Sequence, residues 1–136
     1  MRSERALKVL LRIGGCWICL ALFCMFLPRP WMAKVHEAMG LGPFPEGPIV
    51  DYLARSLSGF YAMYGGLLIV LSSDVKRHAR AIAYVCWVGI AFGILMVGVD
   101  IHAGMPASWT LSEGPVTAGF SAAMLALLRG ATRSVP

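Results

Sequence analysis

Charge is what this chain has least of. Asp, Glu, Lys and Arg make up 14% of its 136 residues, against roughly 25% in soluble domains. Signature motifs are missing too: there is no G-x-S-x-G, no H-E-x-x-H and no P-loop. That excludes the hydrolases, zinc peptidases and nucleotide enzymes that such patterns mark, so an enzyme is not the first expectation and no cofactor is implied. No Cys/His pair has metal-ligand spacing. Cys16-Trp-Ile-Cys19 has C-x-x-C spacing but lies in an apolar run with no thiolate-stabilising cation close by, so inert cysteines are expected there.

What the chain has instead is apolar length. Hydrophobic residues make up 58%, and mean hydropathy is strongly positive. Four runs approach the roughly 20 residues needed to cross a hydrocarbon core about 30 Å thick. They predict helices over about 9–27, 49–71, 81–101 and 113–128, a single all-α domain forming a four-transmembrane-helix bundle in the lipid bilayer. The net charge of +5 does not point to nucleic acid, because the basic residues flank the apolar runs, where they orient a membrane protein.

The first run follows Arg2, Arg5, Lys8 and Arg12. No small-x-small cleavage site precedes Pro28, so an uncleaved span is expected, with Arg12 snorkelling back to the interface. Ile13-Gly-Gly-Cys16 loosely resembles a lipoprotein acceptor site, but Lys8 and Arg12 interrupt its apolar lead. Between the first two spans, Trp31, Met32, Val35 and Met39 share one face, opposite Lys34 and Glu37. Pro30 suits a helix start, and Gly40 and Gly42 suit a stop. This predicts a short amphipathic helix, either interfacial with Trp31 as anchor or packed on the end of the bundle.

Helix 2 carries small residues, Ser58, Ala62 and Gly66, at four-residue spacing, with Tyr61 and Gly65 on a neighbouring face. Helix 3 carries Gly89-Ile-Ala-Phe-Gly93. Such pairs let helices approach closely in lipid, either within the chain or at a homo-oligomer face. For helix 4, Pro115 argues for an N-cap at Ser112 rather than Thr110, because a proline is tolerated only in the first turn. The resulting helix is short, about 24 Å at 1.5 Å per residue.

Four spans place both termini on one side. Nine basic residues lie there: Arg2, Arg5, Lys8, Arg12, Lys76, Arg77, Arg80, Arg129 and Arg133. The other side has Arg29, Lys34 and, just inside helix 2, Arg55. The positive-inside rule therefore predicts cytoplasmic termini in an inner (plasma) membrane.

Of the acids, all but Glu4 and Asp74 collect at or near the outer side. Asp51 and Arg55 open helix 2, Asp100 closes helix 3, and Glu113 opens helix 4, with His102 and His36 in the same leaflet. Intramembrane charge demands a partner or a function. Arg55 is expected to pair with Asp51 at i+4 or to reach Asp100. The cluster is then a tie between helix ends, or an anion-binding pocket lined by Tyr52, Tyr61, Tyr64 and Trp109. A metal site from Asp100, His102 and Glu113, with His36 as a further candidate ligand, has the right atom types but no diagnostic spacing.

In size, helix count and glycine-rich packing the chain loosely resembles DoxX-like proteins and other small bacterial four-helix membrane proteins. Tyr52-Leu-Ala-Arg55-Ser, Phe60-Tyr61-Ala-Met-Tyr-Gly65-Gly66 and Trp109-Thr-Leu-Ser-Glu113-Gly-Pro115 look like signatures of such a family. Small multidrug exporters are a poor match, since helix 1 lacks their mid-membrane acid. The expectation is an accessory or structural membrane component. The alternative, which the DoxX-like resemblance implies, is a binder, carrier or redox partner for a lipid or quinone-like molecule around Arg55.

Overall fold

A computed structural model describes residues 2–133 and is all-α. Six helices follow in order: α1 (Arg2–Cys19), α2 (Ala21–Met25), α3 (Arg29–Ala38), α4 (Pro48–Leu71), α5 (Ala79–Ala103) and α6 (Ala107–Arg133). Helices α1 and α2 together make one stretch of membrane length, Arg2–Met25, interrupted by a tight turn at Leu20. With α4, α5 and α6 this gives four helices long and apolar enough to cross a membrane. The chain is a multi-pass membrane protein, with the short α3 between its first and second spans.

Two boundaries differ from the sequence expectation. The first helix begins at Arg2 rather than near residue 9, because Arg, Glu and Lys are good helix formers and the basic segment simply joins the apolar run. The last helix begins at Ala107, not after an N-cap at Ser112, and runs straight over Pro115. The start signal is Pro106, whose carbonyl accepts from the N–H groups of Trp109 and Thr110. Pro115 has no N–H to offer the carbonyl of Leu111. Packing against α5 outweighs that loss.

The described residues fall into two compact units. One gathers α1 up to Arg12 with everything from Val70, hence α5 and α6. The other is Ile13–Ile69. In the first, α5 and α6 form an antiparallel hairpin. Gly104, in the left-handed region at φ 70°, closes α5, and the N–H groups of Gly104 and Met105 return to the carbonyls of Ile101 and Asp100. Gly93 faces Gly114 so closely that a Cβ on Gly93 would stand 2.5 Å from the Gly114 oxygen and 2.7 Å from the Ala118 nitrogen. Gly89 meets the side chain of Ser121. The G-x-x-x-G pair thus packs within the chain. Leu7, Leu11, Ile82, Cys86 and Met124 are fully buried in this unit.

The second unit uses the same device between α1 and α4. A Cβ on Gly65 would stand 2.6 Å from the Gly15 oxygen, and Cys19 Sγ donates to the Ala62 carbonyl at 3.5 Å. The packing glycine of α4 is therefore Gly65. Gly66, expected on the close face, has open space where a Cβ would go.

The basic connection between α4 and α5 is ordered by local bonds. The N–H of Arg77 donates to Asp74 Oδ1 at 3.0 Å, which holds this carboxyl below its ordinary range. Arg12, exposed, donates through Nε to Ser72 Oγ at 3.3 Å.

These contacts separate two kinds of glycine. Gly93→Ala should destabilise by about 1–3 kcal/mol, since the clash is with backbone that cannot move aside. Gly98→Ala, where nothing lies within 4 Å, should be neutral or stabilising by up to about 1 kcal/mol through helix propensity. Unfolding in mixed micelles followed by circular dichroism measures both; equal effects would refute the glycine contact.

Candidate functional site

The polar end of α4 is built from the loop that precedes it. Asp51 sits in the first turn, where the helix dipole favours an anion. Its Oδ1 accepts from Arg29 Nη1 at 2.9 Å. Arg29 also donates to the Pro45 carbonyl at 3.1 Å and stands 5.5 Å over the Phe44 ring. His36 meets the same ring edge-on at 5.3 Å and bonds the Gly42 carbonyl through Nδ1. So α3 and the glycine- and proline-rich loop fold back on the start of α4.

Arg55 does something else. Its Nη1 donates to the Met25 carbonyl at 2.6 Å and its Nη2 to the Leu27 carbonyl at 3.1 Å. These carbonyls belong to the C-terminal end of the first span, where the last C=O groups of a helix have no intrahelical donor. A cation there also opposes the negative end of the helix dipole. The expected i, i+4 pair between Arg55 and Asp51 is therefore not formed. Asp51 is taken by Arg29, and Arg55 caps a neighbouring helix. Sequence reasoning counted Arg29 only as a flanking charge. Its place between Pro28 and Pro30, at the start of α3, aims it back at α4, and no local pattern announces a partner 22 residues away.

The other expected residues lie in the unit that holds α5 and α6. Asp100 is buried, with 3% of its surface exposed, and its Oδ2 is the one buried side-chain oxygen or nitrogen without a partner among the described residues. Glu113 Oε2 accepts from Trp109 Nε1 at 2.6 Å, one turn apart on α6. His102 is exposed in the last turn of α5. Among the described residues no group of three or more His, Cys, Asp or Glu is placed to hold a metal ion, which removes the metal arrangement of Asp100, His102 and Glu113. Of the expected lining aromatics, Tyr52 and Tyr61 are exposed and Tyr64 is half-buried.

No protein-family model, no curated protein and no solved structure matches the chain.

The bonding pattern ranks the two arginines. Arg55→Gln should lower stability by about 1.5–3 kcal/mol, the scale of bonds made by a charged donor. Arg55→Lys should restore only part, because one ammonium nitrogen must reach both carbonyls that the guanidinium meets with two separate nitrogens. Arg29→Gln, at a pair whose side chains are 39% and 31% exposed, should cost about 1 kcal/mol or less. Thermal unfolding in detergent that reversed this order would refute the capping role of Arg55.

Proposed function

We propose that the chain is an accessory or structural component of an inner (plasma) membrane, inserted with both termini in the cytoplasm, and that Arg55 and Asp51 hold its own helices together rather than bind a substrate. The observation that carries this is the commitment of the Arg55 fork to the Met25 and Leu27 carbonyls. Two of the guanidinium's N–H donors are spent on backbone of its own chain, and the negative end of the first span's dipole lies against its charge. The orientation rests on nine basic residues at one set of helix ends against Arg29, Lys34 and Arg55 at the other. The amphipathic α3 belongs in the outer interface plane: Trp31, Val35 and Met39 are exposed, while Met32 turns inward. The DoxX-like resemblance agrees with this size and helix count and adds no activity.

One observation favours a second reading, a binder or carrier of a lipid or quinone-like molecule. The unpartnered Oδ2 of Asp100, near the outer end of α5, is an acceptor waiting for a hydroxyl or amide donor. The site would then centre on Asp100, with Trp109 and Glu113 nearby in sequence and Arg55 left out.

Two measurements separate the readings. Organic extraction and mass spectrometry of purified protein should find no small molecule that Asp100→Asn loses while folding normally; such a loss would overturn the structural reading in favour of the second. For orientation, in a background without native cysteines, Ser108→Cys should react with an impermeant maleimide from outside intact cells. Ser73→Cys should react only after permeabilisation. The opposite result would invert the topology.

A further inference from the structure

We propose that the basic end of α5 and α6 is a groove for one anionic phospholipid, with the phosphate between Arg80 and Arg129 and the upper part of an acyl chain along Ala83, Trp87 and Leu125. The groove is open and holds about 320 Å³, far more than one water's share of roughly 30 Å³. Leu125 and Leu128 form a buried apolar floor.

Charge decides the head group. Arg80 and Arg129 are both exposed, and neither forms an ion pair among the described residues. The two acids at this end are already engaged: Glu4 stands 3.7 Å from Lys76, and Asp74 accepts from the Arg77 backbone. Arg129 stacks over Trp87 at 5.8 Å, which fixes the guanidinium without neutralising it. The N-terminus of α5, a 25-residue helix, lies at the same place, and its N-cap His78 makes no side-chain capping bond. All of these favour a phosphate.

Depth decides between a lipid and a soluble anion. Arg80 and Arg129 lie at the ends of two spans, hence at a head-group layer whichever way the chain is inserted. From Ala79 the groove follows α5 inward to Trp87, about 12 Å at 1.5 Å per residue. A soluble anion has no use for that apolar length, and an acyl chain does. The choline of a zwitterionic lipid would face two guanidinium groups, so the selectivity is for net negative head groups.

Native mass spectrometry of the detergent-solubilised protein, titrated with phosphatidylglycerol or with phosphatidylcholine of the same chains, tests this. Phosphatidylglycerol should bind more tightly, and Arg80→Gln and Arg129→Gln should each weaken it about five-fold. Ala83→Phe, which fills the groove without touching charge, should weaken it too, while Arg77→Gln, outside the groove, should not. Equal binding of the two lipids, equal loss in Arg77→Gln, or no effect of Ala83→Phe in a folded protein would overturn the proposal. So would displacement of phosphatidylglycerol by inorganic phosphate alone, the mark of a site for a soluble anion.

Discussion

A backbone carbonyl without a donor is costly wherever water is excluded, and the first span of this chain ends in several of them. The turn at Leu20 and the short α2 leave the carbonyls of Met25 and Leu27 facing α4. Arg55 supplies both missing donors from α4. The arrangement has two consequences. It fixes the register of α1–α2 against α4 at one end, as Gly15 and Gly65 fix it at the other. It also leaves Asp51 free for Arg29, so the loop carrying α3 is tied to the start of α4. A charge that would be a liability inside a membrane becomes the cap of another helix, and the interfacial segment is ordered as a by-product.

The remaining adhesion comes from backbone proximity. Lipid tails are as apolar as leucine, so no hydrophobic force draws one span to another, and close van der Waals packing must do the work. Each unit brings two glycines of antiparallel helices together, Gly15 with Gly65 and Gly93 with Gly114. The large apolar side chains point elsewhere: Trp17, Phe23, Phe26 and Met63 are more than two-thirds exposed. In water such a surface would aggregate. In a bilayer it is the ordinary boundary with lipid.

The sequence made the spans legible because length and hydropathy are additive properties, readable without knowing any contact. Thus α4 was expected over 49–71 and is Pro48–Leu71. Contacts were less legible. The rule that a charge in a span needs a partner draws attention to Arg55, but the only candidate partners a sequence names are carboxylates. A carbonyl is present at every residue and carries no signature, so its need for a donor emerges only once the helix end is located. The same holds for Gly65 and Gly66: adjacent and identical, they differ only in which side of α4 meets α1. At Pro115 the local rule gives way to tertiary packing, and the start signal is Pro106, nine residues earlier.

The two units differ in what they leave unsatisfied. In Ile13–Ile69 the ionisable groups at the head of α4 close upon one another: Arg29 on Asp51, Arg55 on carbonyls, His36 on the Gly42 carbonyl. On α5 and α6 two valences remain open, the Oδ2 of Asp100 near one end of the hairpin and the guanidinium pair of Arg80 and Arg129 at the other. An unsatisfied acceptor in an apolar setting and an uncompensated pair of cations each lower their free energy by meeting a molecule from outside the chain. Both pairings hold the chain together through glycine contacts, but only the α5–α6 hairpin keeps polar groups that its own residues leave unanswered. The opening glycine contacts of that hairpin, Gly93 with Gly114, lie between its two open ends, so a change in helix spacing there would be felt at both.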